Sequence, residues 1–170
     1  EHLPAVGRQL ADLAAAAIEA ALAVSRAEIH AGSGSTQADP EELERIRLSV
    51  IGMGKCGARE LNYISDVDVV YVHDIVDPFG GEDGHEPIDD DRAAVLATAL
   101  ASGTARAVMS NGPEAPLWEL DANLRPEGKD GPLSRTLDSH VRYYRKWAKS
   151  WEFQALLKAR PMAGDQELGR

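Results

Sequence analysis

Apolar residues recur at helical spacing near the start of the chain. Residues 7–31 are rich in alanine, and the larger apolar side chains among them are Leu10, Leu13, Ile18, Leu22 and Val24. Alanine has the highest helix propensity, and residues three or four positions apart share one side of a helix. The pattern predicts one long helix, which the glycine- and serine-rich run at residues 32–35 ends.

Three later segments have the short apolar patterns that are typical of β-strands. They cover residues 46–52, 66–72 and 117–121. Because side chains alternate along a strand, Asp66 and Asp68 share one face of the second strand, while their apolar neighbours take the other face, toward the core.

Helical patterns separate and follow these strands. They predict a short turn that starts at Pro40, helices over residues 55–63 and 91–109, and a long closing helix over residues 139–159. The proline- and glycine-rich residues 125–133 predict a loop. The sequence therefore predicts an α/β (α+β) fold, with a small mixed sheet flanked by helices and a long helix at each end.

Length and composition indicate the setting of this fold. A chain of 170 residues suffices for one domain with a core, which we place at residues 36–170, after an N-terminal helix and linker at residues 1–35. Because the chain opens at Glu1, we expect a fragment of a longer multidomain protein.

The chain has no charge-free apolar run of about 18 residues and no signal-peptide pattern, so we expect no membrane span. Cys56 is the only cysteine, which excludes an internal disulfide and favours a reducing cytoplasm.

The charge of the chain is acidic and uneven. The net charge of −10 argues against nucleic-acid binding, which depends on a basic surface. Residues 121–170 nevertheless carry a net charge of +3, so they either face phosphates or form a solvated helix face. Residues 73–91 hold eight acids and no lysine or arginine. They predict a mobile loop. His73 and His85 among these acids suggest a metal site, but no metal-ligand spacing recurs, so we favour a solvated acidic loop.

A glycine turn stands before the paired aspartates. Gly52 and Gly54 allow a backbone to approach a phosphate closely, and the helix predicted to begin at Lys55 offers unpaired N–H groups. The spacing is that of neither a Walker A motif nor a dinucleotide-binding loop. Ser65 either donates a hydrogen bond to a phosphate or caps the strand.

The aspartates themselves predict a metal site. Asp66 and Asp68 lie among apolar residues that we expect to be buried, and burial of two unpaired carboxylates is unfavourable. Bound metal ions would offset that penalty, and Asp121 supplies a third carboxylate on a later strand. Such a set predicts two ions, one that activates the attacking oxygen and one that stabilises the leaving group.

Three sequence blocks, taken in order, resemble one known family. Residues 52–68 read GMGKCGARELNYISDVD, residues 118–128 read WELDANLRPEG, residues 131–133 read GPL, and residues 143–160 include YY, WE and LKAR. They resemble the glutamine synthetase adenylyltransferase/adenylyl-removing enzymes, which belong to the DNA polymerase β-type nucleotidyltransferase superfamily. The resemblance implies a nucleotidyltransferase fold, two Mg²⁺ ions with Mn²⁺ as the alternative metal, and ATP, ADP and inorganic phosphate as substrates or products.

The resemblance also implies roles for individual residues. The family's metal-binding carboxylates match Asp66, Asp68 and Asp121, and its nucleotide-phosphate turn matches Gly52, Gly54 and Ser65. Basic residues of the family match Arg125, Lys158 and Arg160, which would bind phosphate. For Lys158 and Arg160 the alternative is pairing with Glu152 or exposure to solvent. Asn123 stands where the family often has arginine.

The family enzyme carries two such domains in one chain. The N-terminal domain removes AMP from a tyrosine of glutamine synthetase by phosphorolysis, and the C-terminal domain adds AMP from ATP. Residues 131–133 and the paired tyrosines resemble the N-terminal half. The resemblance therefore implies adenylyl removal, with glutamine synthetase, a PII-type nitrogen-signalling protein and the remaining domains as partners. Adenylylation from ATP is one alternative, and a non-catalytic regulatory binding module of the same fold is the other.

Overall fold

A computed structural model describes residues 3–76, 88–110 and 115–170. The helices in these ranges are α1 (Leu3–Ala31), α2 (Pro40–Glu44), α3 (Gly54–Gly57), α4 (Asp90–Met109), α5 (Leu137–Lys146) and α6 (Ser150–Leu156). The strands are β1 (Ile46–Gly52), β2 (Val67–Ile75), β3 (Leu120–Asp121), β4 (Ser134–Thr136) and β5 (Arg160–Gly164). None of the described helices combines the length and apolar character that a membrane span needs.

The strands form one mixed sheet around β2. Strand β2 is antiparallel to β1 on one side, and β1 is in turn antiparallel to β5. On its other side β2 pairs in parallel with β3 near its start and with β4 further along. The structure confirms the predicted α/β fold with a small mixed sheet and flanking helices.

Helices α1 and α4 cover the first face of the sheet and form the main core with it. The predicted apolar face of β2 is confirmed, since Val67, Val69 and Tyr71 are buried. The buried residues of α1 are small or aliphatic, namely Gly7, Ala11, Ala14, Ile18, Ala21, Leu22 and Ser25. Small side chains let α1 lie close to α4: a Cβ atom on Gly103 would come within 2.1 Å of Ser25 Oγ.

The second face of the sheet carries a smaller apolar cluster. It consists of Ile51, Met53, Val70, Val72 and Leu168. Asp165 brings Leu168 into place, because its carboxylate accepts hydrogen bonds from Arg47 Nε at 2.6 Å and from the Leu168 N–H at 2.8 Å. Helices α5 and α6 border this face, which is therefore less fully covered than the first.

The helix predicted over residues 55–63 is wrong in length. Helix α3 ends at Gly57, and Arg59 has a left-handed backbone with φ of 60°. A left-handed residue cannot continue a right-handed α-helix, so the regular helix stops before Arg59. The chain leaves α3 as an irregular loop that leads to the aspartates.

The single closing helix predicted over residues 139–159 is also corrected. The chain forms α5 and α6 with a break at residues 147–149, followed by β5, which the sequence pattern did not indicate. At the break Glu152, only 5% exposed, accepts hydrogen bonds from Tyr143 Oη at 2.8 Å and from the Lys149 N–H at 2.7 Å. This buried carboxylate starts a new helix instead of continuing the old one.

Two further boundaries differ from the predictions. His73 lies within β2 and is buried, with Nδ1 2.8 Å from Ser134 Oγ, and so is not part of a loop. The third strand is shorter than predicted, since β3 is two residues long and Leu117 is 70% exposed. Strand β4 lies just after the predicted loop over residues 125–133. His85 and the rest of residues 77–87 lie outside the described residues.

Candidate active site

Two of the three predicted carboxylates are neighbours across the sheet. Asp68 on β2 and Asp121 on β3 are register partners in a parallel pair. Asp66 precedes β2 and is exposed, and Asp68 is half-buried. The Val67 N–H donates to the Glu119 carbonyl at 2.9 Å, which holds the two segments together beside the aspartates. The fold therefore brings all three aspartates to one end of β2.

The carboxylates repel one another at this position. Burial raises the pKa of Asp68 above its ordinary value, and the nearby charges of Asp121 and Asp66 raise it further. Lys55 acts in the opposite direction and lowers that pKa. Negative charge is therefore concentrated at the site, and a bound cation would relieve the repulsion.

The glycine turn is shaped around one of these carboxylates. Gly54 has a left-handed φ of 51°, and a Cβ atom there would lie 2.5 Å from Asp68 Oδ2. The Met53 N–H also donates to the Asp68 carbonyl oxygen at 2.8 Å. Gly52 has a packing role, because a Cβ atom on it would lie 2.0 Å from Met162 Sδ. The turn thus positions Asp68 directly.

Lys55 and Ser65 come together beside the turn. Lys55 Nζ lies 3.3 Å from Ser65 Oγ, and that hydroxyl lies 2.5 Å from Asn62 Oδ1. Since Lys55 also acts on the pKa of Asp68, its charge lies close to the carboxylates. An ammonium group and a hydroxyl at this place are suited to a phosphate group.

The Arg125 side chain forms hydrogen bonds within its own loop. Its guanidinium group donates to the carbonyl oxygens of Ala122 at 2.8 Å, Gly131 at 3.1 Å and Lys129 at 3.3 Å. The Asn123 N–H donates to Asp121 Oδ1 at 2.7 Å. Both residues therefore shape the segment that follows β3 and orient Asp121, a role that the sequence pattern did not indicate.

Lys158 and Arg160 lie on the other side of the glycine turn. Lys158 Nζ pairs with Glu60 at 3.0 Å rather than with Glu152. Arg160 Nε donates to the Gly57 carbonyl at 3.2 Å, and Arg160 is the register partner of Gly52. Both side chains therefore brace the loop around α3.

The donor set suits a hard divalent cation in its chemistry, since Mg²⁺ prefers carboxylate oxygens. Within the described ranges, however, no group of three or more His, Cys, Asp or Glu side chains is already arranged to hold a metal ion. Asp68 and Asp121 are paired across the sheet, and the exposed Asp66 side chain would complete the candidate set.

A small mixed sheet, a glycine turn and aspartates on adjacent parallel strands together define a nucleotidyltransferase-like domain. Comparison with known families is more specific. The chain belongs to the glutamate-ammonia ligase adenylyltransferase family, whose model matches residues 2–170.

Relatives with the same printed name are similar over nearly the whole chain. The bifunctional glutamine synthetase adenylyltransferase/adenylyl-removing enzyme of Leifsonia xyli subsp. xyli is 55% identical over 164 residues, which are 96% of this chain and 16% of that protein. The enzyme of Streptomyces coelicolor is 52% identical, over 95% of this chain and 14% of that protein. That of Nocardia farcinica is 53% identical, over 97% of this chain and 13% of that protein. The chain thus spans a small part of the length of these relatives.

Proposed function

We propose that this domain catalyses nucleotidyl transfer on glutamine synthetase, and that it removes AMP from an adenylylated tyrosine by phosphorolysis. One observation carries the proposal: three mutually repelling aspartates meet a glycine turn that is shaped around Asp68. The family and the names of the relatives support the substrate. The resemblance of residues 131–133 and 143–144 to the N-terminal half of the family enzyme supports removal over addition.

Asp66, Asp68 and Asp121 would hold the metal, for which we propose Mg²⁺. When bound, the metal neutralises charge on the phosphoryl group that is transferred. The residues of the chain then have three tasks. The aspartates fix the position of the reacting phosphorus, Gly54 keeps a side chain away from Asp68, and Lys55 with Ser65 binds phosphate oxygens.

The chemistry is an exchange at one phosphorus atom. An oxygen of inorganic phosphate forms a bond to the AMP phosphorus, and the bond from that phosphorus to the tyrosine oxygen breaks. ADP leaves, and the tyrosine oxygen takes up a proton given up by the attacking phosphate. Phosphate is already anionic, so positioning and charge neutralisation do most of the work.

The decisive experiment supplies AMP-modified glutamine synthetase and Mg²⁺ to the chain, with and without phosphate. Phosphate-dependent release of ADP is the expected result. AMP transfer from ATP to unmodified glutamine synthetase, without such release, would contradict the proposed direction. Inactivity in both directions would contradict catalysis and favour a binding module.

The wider setting is part of the same proposal. We place the reaction in the cytoplasm, where the single, buried Cys56 would remain a thiol. The reaction would be regulated by the remaining domains of the longer protein and by a PII-type nitrogen-signalling protein. Residues 36–170 would form the transferase domain, which follows α1 in the chain.

A further inference from the structure

The loop between α3 and β2 contains a turn with an apolar tip. The Ser65 N–H donates to the Asn62 carbonyl oxygen at 3.4 Å and closes the turn, and Ser65 Oγ lies 2.5 Å from Asn62 Oδ1. The two central residues, Tyr63 and Ile64, form the apolar tip and are 75% and 94% exposed. Such positions usually hold glycine, proline, asparagine, aspartate or serine. Neither apolar side chain contributes much to the core, so the stability of the domain does not explain their presence.

Buried residues hold the turn in place from both sides. Leu61, directly before it, is 2% exposed, and Val67, at the start of β2, is fully buried. The Glu60 N–H also donates to the Lys55 carbonyl oxygen at 2.8 Å, which ties the beginning of the loop to α3. The folded domain therefore holds the apolar tip out into solvent before any partner binds, and binding requires little further ordering of the chain.

The apolar tip lies beside the candidate active site. Ile64 is two residues before Asp66, and two residues of chain span at most about 7 Å. The Oγ atom of Ser65, which closes the turn, lies 3.3 Å from Lys55 Nζ, the group suited to phosphate. Single exposed apolar residues are common on protein surfaces. Two adjacent ones beside a site of this kind point to a ligand that is larger than a phosphate and partly apolar.

We propose that Tyr63 and Ile64 contact the surface of the protein substrate around its adenylylated tyrosine, and that they contribute to recognition of that protein. The inference rests on the proposed function, which brings a tyrosine of a folded protein to the aspartates. Such a tyrosine reaches Asp66 only if the surface around it lies against the elements that border the site. Burial of the apolar tip at that contact stabilises the complex, and aromatic side chains are typical of interface anchors.

Two substrates with the same bond to AMP test this role. One is AMP-modified glutamine synthetase, and the other is tyrosinamide that carries AMP on its phenolic oxygen and has no protein surface. With the modified protein, Ile64→Ser should raise KM about tenfold and leave kcat unchanged, because the lost contact is the same in the ground state and the transition state. With the small substrate, the rate of phosphorolysis should stay the same. Tyr63→Ser should behave in the same way.

Two further variants serve as controls. Ile64→Val keeps an apolar side chain and should retain most of the affinity for the modified protein. Val95→Ser removes an apolar side chain that is 43% exposed on α4, one helical turn from Arg92, which pairs with Glu42 just before β1 begins. This is the end of the sheet opposite Asp68, so the change should leave KM unaltered with both substrates. Thermal unfolding identifies the variants that are folded, and only those are compared.

A binding measurement separates the inference from the proposed reaction. Without phosphate, the chain should bind immobilised AMP-modified glutamine synthetase, and Ile64→Ser should weaken this binding about tenfold. Normal KM and binding in both folded tip variants, or an equal loss of activity with the small substrate, would overturn the inference and leave the proposed reaction standing. An absence of binding by the unmodified chain at high micromolar concentration would also overturn it. Tip-dependent binding by a chain that releases no ADP would support the contact and contradict the proposed reaction.

Discussion

At the scale of single residues, Gly54 and Asp68 are matched to each other. The carboxylate occupies the space in which any other residue at position 54 would place its Cβ atom. The same carboxylate has a raised pKa, because it is partly buried beside Asp121 and Asp66. A group held in its charged form against such repulsion serves binding or catalysis at the expense of stability.

We predict that Asp68→Asn lowers turnover by orders of magnitude while it stabilises the fold. The raised pKa of Asp68 means that its ionised form is disfavoured in the folded state relative to the unfolded one. The neutral amide removes that penalty at pH 7, so the midpoint of thermal unfolding should rise by about 1–3 °C without divalent metal.

Glu28→Gln is the matched control, since Glu28 is exposed on α1 and the change also removes one negative charge. It should leave turnover and the unfolding midpoint as they are. Full turnover in folded Asp68→Asn would remove Asp68 from the proposed catalytic set.

At the scale of elements, the loop around α3 depends on close backbone packing. At Gly57 a Cβ atom would lie 2.0 Å from the Lys158 carbonyl oxygen and 2.4 Å from the Gly52 carbonyl oxygen. Neither atom belongs to a flexible side chain that can move aside. The turn before β5, the end of β1 and the loop toward Asp66 therefore meet at this one residue.

We predict that Gly57→Ala destabilises the domain by about 3 kcal/mol or more, because the backbone at the end of β1 and in the turn before β5 must shift. Chemical denaturation would measure the loss. Gly34→Ala is the control for backbone strain without a steric clash. Gly34 has a φ of 87° but open space around its Cβ position. That change should lower stability by only about 1 kcal/mol, and an equal loss in the two variants would contradict the packing argument.

The elements that sequence could predict are those set by local pattern. Alanine spacing identified α1, and alternation identified β1 and β2, with Val67, Val69 and Tyr71 correctly on a buried face of β2. The break between α5 and α6 depends on Glu152, whose partners become apparent only when Tyr143 and Lys149 are brought around it. Strand β5 contains Pro161, which weakens any strand signal, and its pairing with β1 spans more than 100 positions.

The candidate site also has features that the sequence could predict and features that only the fold shows. The strand patterns indicated Asp66 and Asp68 on one strand and Asp121 on a later one, and the fold supplied the register that sets Asp121 beside Asp68. Side-chain direction could not be predicted, so the hydrogen bonds of Arg125 to its own loop and the exposure of Ile64 emerged only from tertiary structure.

At the scale of the whole molecule, two buried histidines, His73 on β2 and His140 on α5, make the stability of the domain depend on pH. Burial lowers the pKa of both His73 and His140 below the ordinary value of 6.5. The unfolded chain then binds more protons than the folded one as the pH falls through that value. The free energy of unfolding should decrease below about pH 7 and level off once the pH is below both folded pKa values.

Urea denaturation between pH 5 and 7.5 measures this slope. Asp68 acts in the opposite direction because its pKa is raised, so the measurement is made in Asp68→Asn. Adding His73→Asn and His140→Asn should flatten the slope, whereas His30→Asn, a change at an exposed position of α1, should preserve it. A slope unaffected by the double change would contradict the assignment.

Because β3 is short, the candidate site can open locally. Asp121 is attached to β2 through a strand of only two residues, while Asp68 belongs to a nine-residue strand in the middle of the sheet. Opening of so short a pairing requires much less free energy than global unfolding. The domain can therefore release its third carboxylate by local opening while the rest of the sheet stays intact, and amide hydrogen exchange at Asp121 should be faster than at Val69.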